Sequence, residues 1–220
     1  MESLTKVRLL QPSNPNKSTA LLGGKSSGFL NWNDIAYPQF YTIYKKLQGN
    51  YWRPSEISMA DDRKQFHELS KAEVKAFKRI NGLLASLDSV QTRLITELSL
   101  VFTDPSVQSI VGVIAQQEAT HNESYSYIFS SLVELKEQNE IYDMARTDPS
   151  VIRRNKLIID IYEEYRENPT PYTVAKALAA PIILEGINVY SGFAFFYHLA
   201  NRQKMVGTST MFMYIQKDEM

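Results

Sequence analysis

Apolar residues return every three or four positions along most of this chain, the period of helices that bury one face. The run VKAFKRINGLLASLDSVQTRLITELSLVF, residues 74–102, keeps that period for about eight turns. Ser70 and Glu73 stand ahead of it as an S-x-x-E capping box, in which each side chain answers the other's free backbone N–H. Asp104 and Pro105, an N-cap carboxylate followed by a proline at the first helical position, predict the next helix through residues 106–135. Asp148 and Pro149 repeat the device for a helix that runs to Asn168, where N-P-T-P breaks it. Residues 172–205 are apolar nearly all round, which predicts a central buried helix kinked at Pro181, and a last helical run fills 208–220. Ahead of the long helices, aromatics at helical intervals predict a short helix up to Gly49, followed by an extended WRPSEISM stretch. No strand alternation, repeat or second domain is present in the pattern. The expected fold class is all-α, a bundle of long helices over 31–220 behind a flexible Ser/Asn/Gly-rich segment at 1–30.

Composition narrows the function. With 220 residues, 44% of them hydrophobic, a sizeable core can be buried. Lys plus Arg (24) balance Asp plus Glu (24), and no basic stripe stands out, so neither nucleic acid nor an anionic membrane is expected as a partner. The absence of cysteine removes disulfides, thiolate ligands and cysteine nucleophiles, so any metal must be held by oxygen and nitrogen. The first residues lack the apolar core of a signal peptide, and no uninterrupted apolar run reaches the ~18–20 residues of a membrane span. A cytoplasmic protein is expected.

Acids interrupt the apolar pattern where it predicts interior. Asp88 in LLASLDSVQ, Glu118 in IAQQEATH, Glu185 in PIILEGINVY and Glu219 in YIQKDEM would each cost several kcal/mol if buried and uncompensated, so the set calls for cations or protons. Glu118 and His121, three apart, share a helix face, and helical bundles that hold two iron or manganese ions use Glu-x-x-His pairs together with single carboxylates from other helices. Taken singly, each residue has a plainer reading. Glu185 alone is a satisfied buried acid or faces a groove, His67 is a surface residue, His198 is packed or interfacial, and Tyr125 is a core tyrosine with its hydroxyl on some acceptor. The ordered set favours the metal.

The motifs YWRPSEI at 51–57, LDSVQ at 87–91, EATHNESY at 118–125, LEGINVY at 184–190 and IQKDEM at 215–220 together resemble the small (beta) subunit of class I ribonucleotide reductase. The resemblance runs from about Trp32 to the last residue. It implies a ferritin-like fold and a centre of two Fe or two Mn ions held by Asp88, Glu118, His121, Glu185 and Glu219. It also implies a tyrosyl radical on Tyr125, an apolar pocket around it that includes Phe193 and Ile215, and a radical-transfer path through Trp52, Asp218 and His121. The implied activity is the radical-generating half of ribonucleoside-diphosphate reductase, which makes deoxyribonucleotides. The implied partners are the large subunit, which holds the nucleotide, a second copy in a homodimer, and a flavodoxin-like activator.

The family motif at the last site is D-E-x-x-H, whereas this sequence reads Asp218, Glu219, Met220 and stops. The sixth ligand would stand two places further on. The expectation is therefore a ferritin-like domain incomplete at its C-terminus, from an interrupted gene or a partial chain, with the remainder joined or supplied as a C-terminal fragment in trans. The alternative is an inactive or structural helical fragment that needs a second chain to complete the site.

Overall fold

The starts of the long helices after Ser70, Asp104 and Asp148 are set by side chains that answer free N–H groups. The structure, a computed structural model, describes residues 3–220, the side chain of Asn188 excepted. Among the described residues the elements are all helical: α1 Gln39–Gln48, a 3-10 turn Pro54–Glu56, α2 Ala60–Phe66, α3 Lys71–Leu98, α4 Pro105–Leu132, α5 Leu135–Thr147, α6 Pro149–Glu167, α7 Pro171–Ile183, a π-helical segment Leu184–Val189, α8 Tyr190–Asn201 and α9 Val206–Glu219. One isolated antiparallel bridge, Leu22 to Phe102, is the β-type pairing described. The all-α expectation holds.

The caps form as expected. Ser70 N donates to Glu73 Oε2 at 2.8 Å and Glu73 N to Ser70 Oγ at 3.3 Å. Asp104 Oδ1 accepts from Ser106 N at 2.9 Å, and Asp148 Oδ1 from Ser150 N at 2.8 Å.

The chain gathers into two compact units, one of Met1–Tyr51, Gln91–Gln117 and Ile159–Ala180, the other of Trp52–Val90, Glu118–Ile158 and Pro181–Met220. In the first, the segment ahead of α1 is tied to the turn before α4: Thr103 N donates to Leu21 O at 2.8 Å, Thr103 Oγ1 to Ala20 O at 2.7 Å, and the Ser18 hydroxyl to the buried Asp104 carboxylate. Buried Tyr162 donates to Gln91. In the second, the core is aromatic and aliphatic. Phe196 of α8 stacks on Phe212 of α9 with centroids 3.9 Å apart, and Phe77 of α3 meets Phe196 edge-on at 5.2 Å. Gly82 lets α3 approach α5 closely, since a Cβ there would stand 2.6 Å from Ile141 Cγ2.

Three local expectations change. The stretch expected to be extended, 52–59, contains the 3-10 turn Pro54–Glu56, and α2 follows it at once from Ala60, its start paired with distant residues described below. The helix expected to run to 135 ends at Leu132, and α5 begins separately at Leu135. Pro181 lies inside α7, and just beyond it the chain leaves α geometry at Leu184–Val189. Nor is this stretch buried all round: Leu184, Val189 and Phe193 are buried, whereas Ile182 is 73% and Ile187 68% exposed. By length and composition alone Pro171–Asn201 is long and apolar enough to cross a membrane, a test that core helices also pass, and Glu185 interrupts it.

Candidate metal centre

The second unit brings Asp88 of α3, Glu118 and His121 of α4, Glu185 of the π segment, and Asp218 and Glu219 of α9 into one neighbourhood. Spacings of three and four place Glu118, His121 and Tyr125 on one face of α4. Asp88, Glu118 and His121 are buried, and each offers a ligand atom within 4.8 Å of the others. His121 Nδ1 lies 3.0 Å from Glu219 Oε1, 3.8 Å from Glu118 Oε2 and 3.9 Å from Asp88 Oδ2. Its other nitrogen, Nε2, lies 3.2 Å from Asp218 Oδ2.

That geometry creates a problem which a cation solves. With Nε2 donating to Asp218, Nδ1 carries a lone pair and aims it toward three carboxylates. Nδ1 is close enough to Glu219 for an ion pair but misaligned for a hydrogen bond, and it has no hydrogen-bond partner. Glu118 Oε2 and Glu185 Oε1 are likewise buried without one. Protons are the available substitute. Burial first, then the charge of Glu118, holds the Asp88 carboxyl well above the ordinary range. Burial also raises Glu118, and burial with the charges of Glu219, Asp88 and Glu118 pushes Glu185 up to about 10. Burial alone would lower His121, but its partners Asp218, Glu118 and Glu219 raise it well above its usual value. Oxygen donors and one imidazole, unpartnered and facing a common volume, fit a hard divalent ion.

Around this cluster Tyr125 is fully buried and its Oη donates to Asp88 Oδ2 at 2.7 Å. Burial, then the Asp88 carboxylate, keeps the phenol's pKa well above 10, so the hydroxyl holds its proton. Phe212 lies 6.0 Å from the Tyr125 ring and 5.4 Å from that of Phe193, and Ile215, three residues after Phe212 on α9, is buried. Trp52 Nε1 donates to Asp218 Oδ2 at 2.8 Å, the same oxygen that faces His121 Nε2. His67 and His198, by contrast, are exposed and stand apart from this network.

Sequence reasoning missed three contributors. Phe212 separates Tyr125 from Phe193, and its apolar spacing to Ile215 was the available signal. Tyr214 stacks on Trp52 at 5.2 Å. Asp62, in the polar run ADDRKQF, is buried, and its carboxylate accepts from Gly207 N at 2.9 Å, Thr208 N at 2.7 Å and Thr208 Oγ1 at 2.6 Å, capping α9 from a distance.

Comparison with known proteins identifies the family. The family model described as "Ribonucleotide reductase, small chain" matches residues 29–220. The chain is 48% identical over 219 residues to the ribonucleoside-diphosphate reductase subunit beta of Halalkalibacterium halodurans, covering 100% of this chain and 64% of that protein. It is 33% identical over 199 residues to the subunit of the same name from Treponema pallidum, covering 90% of this chain and 57% of that one. The chain thus spans less than two thirds of the length of these curated relatives. Among solved structures, it resembles the ribonucleotide reductase R2 subunit from Clostridium botulinum with TM-score 0.93 and 37% identity, covering 99% of this chain and 69% of that one. It also resembles the dimanganese(II)-NrdF of Streptococcus sanguinis with TM-score 0.78 and 26% identity, covering 87% and 65%.

Proposed function

The chain belongs to the ribonucleotide reductase small-chain family, and from that premise we propose that it is the radical-generating part of a ribonucleoside-diphosphate reductase beta subunit. The observation that carries the reading is Tyr125, fully buried, with its hydroxyl 2.7 Å from Asp88 Oδ2 at the edge of the acid cluster. In this reading two Fe or two Mn ions are held by Asp88, Glu118, His121, Glu185 and Glu219. When bound, such ions supply one-electron oxidising chemistry drawn from oxygen.

The protein's own residues do the rest. A tyrosine whose phenol stays protonated gives up its electron only as the proton leaves, and Asp88 Oδ2 stands where that proton goes. Phe212, Phe193 and Ile215 exclude water and reductants from the oxidised ring. Asp218 accepts from Trp52 Nε1 and faces His121 Nε2 through one oxygen, which makes a continuous hydrogen-bonded line from Trp52 to the metal-facing imidazole. Along that line an electron can pass inward to refill the oxidised site, so that the radical moves outward while protons shift locally. The nucleotide belongs to a large subunit with which a homodimer of this protein works in the cytoplasm, and a flavodoxin-like activator is a further partner. The donor set accepts iron and manganese alike, and metal analysis of the protein from its native host decides between them.

The test is electron paramagnetic resonance of the full-length protein loaded with metal and exposed to oxidant. A tyrosyl signal is expected, and Tyr125→Phe should abolish it with metal content unchanged. The same signal in the Phe variant would place the radical elsewhere.

A further inference from the structure

The second unit holds a cavity of about 130 Å³ beside the acid cluster. Its floor is aliphatic: Leu83, Leu84 and Leu87 of α3 and Val189 at the end of the π segment, all buried. Its solvent side is polar, where Arg154 Nη2 of α6 donates to Ser191 Oγ of α8 at 3.1 Å and both residues are exposed. Gly192 and Ile80 complete the wall, and Gly192 sets its width, since a Cβ there would stand 2.9 Å from Ile80 Cγ2.

Placement gives this cavity its meaning. Leu84 precedes Asp88 by four residues on the same face of α3, and Val189 follows Glu185 by four, close to one turn of the wider π helix. At a rise of about 1.5 Å per residue, the cavity lies on the order of 6 Å along each helix from both carboxylate positions. Its contents are constrained by its walls. A buried water needs two to four polar partners, and the floor supplies none, whereas dry aliphatic cavities of about this size take up small apolar guests such as xenon.

We propose that this cavity is a binding station for dioxygen, an apolar gas, on its way to the acid cluster, with the Arg154–Ser191 hydrogen bond at its outer side. The binding claim rests on the cavity alone, and the route rests on the function proposed above.

The test has two arms, both on the full-length protein. Crystals held under xenon should show the gas between Leu83, Leu87 and Val189, and Leu83→Phe, which fills the space, should remove it. In stopped flow, the Fe(II)-loaded Leu83→Phe protein should be oxidised by dioxygen several-fold more slowly than the parent and reach the same final tyrosyl signal. If Leu83→Phe does not fold, Gly192→Ala serves, because its methyl drives Ile80 into the cavity. Absence of xenon from this cavity in the parent protein overturns the proposal. So does an unchanged oxidation rate in a variant that has lost its xenon. Xenon bound in a parent protein whose iron is never oxidised would overturn the route through failure of the proposed function, and the parent's own rate separates that case from the others.

Discussion

Raising the pH should destabilise the metal-free protein, and the acid cluster sets the size of the effect. The Glu185 carboxyl is pushed from 4.5 up to about 10, by burial first and then by Glu219, Asp88 and Glu118. Below 4.5 it is protonated in the folded and unfolded chain alike; above it the unfolded chain ionises while the folded chain keeps the proton until about 10. The stability tied to that proton is therefore fully present below 4.5 and is lost as pH rises through about 10. His121, raised well above 6.5 by its carboxylate partners against the pull of burial, shifts stability the same way, as do the raised Asp88 and Glu118. One excess proton in the folded state is worth about 1.4 kcal/mol per pH unit, so from about pH 6 to about pH 8 Glu185 alone should cost the metal-free protein ~3 kcal/mol, and the other raised groups add to that loss. Glu73 and Asp148, held at about 2 by their bonds to Ser70 and Ser150, are ionised in both states over that range and add no slope. The assay is urea unfolding of the chelated full-length protein at a series of pH values, repeated with saturating Mn(II). Metal ions compete for the same atoms as the protons, so the loaded protein should show a flattened or reversed slope, and Glu185→Gln should reduce the metal-free one. An unfolding free energy that stays level or rises with pH in the metal-free protein would refute the reasoning, because the acids would then be ionised without penalty in the fold.

Other consequences follow from single contacts. Asp62→Ala strands two helix-start N–H groups and should cost about 3 kcal/mol by urea unfolding, with weakened metal binding through Glu219, measured by titration with Mn(II). Trp52→Phe keeps the ring on Tyr214 but removes the N–H to Asp218; the tyrosyl signal should persist while turnover with the large subunit is lost, and an active variant would remove Trp52 from the path. Gly82→Ala gains helix propensity but drives a methyl into Ile141, and the melting midpoint should fall by the equivalent of about 1–2 kcal/mol.

What could be read from the sequence follows from how local each signal is. The helix starts at Ser70, Asp104 and Asp148 depend on side chains two or three residues from the N–H they answer, so composition alone located them. Asp88, Glu118, Glu185 and Glu219 stood out because each breaks an apolar period, and the structure places them near His121. Asp62 gave no such signal. It sits among Asp61, Arg63 and Lys64, in a run that reads as a solvated face, and its burial arises from Gly207 and Thr208, some 145 residues away along the chain. The π segment was missed for a related reason: proline was the visible irregularity, whereas the geometry changes beyond it, at the residues that carry Glu185.

The position of α9 follows from those long-range contacts. Gln203 and Met205 take left-handed backbone with φ of 57° and 55°, an unfavourable state for residues with a Cβ. Gln65 holds that turn, accepting from Met205 N at 2.7 Å and donating to Gln203 O at 3.2 Å. Asp62 then answers the first N–H groups of α9, and Gly207 is required there because a Cβ would stand 2.6 Å from Ser58 O. At the other end of the helix Trp52 binds Asp218 and stacks on Tyr214. Every one of these anchors comes from residues 52–65, so this short stretch fixes the start, the axial position and the rotation of α9. One residue of slip would rotate the helix by about 100° and carry Asp218 away from His121 Nε2. The backbone strain before α9 is therefore matched by a functional requirement: Asp218 and Glu219, adjacent in sequence and on different faces, must reach Nε2 and Nδ1 of the same imidazole at once.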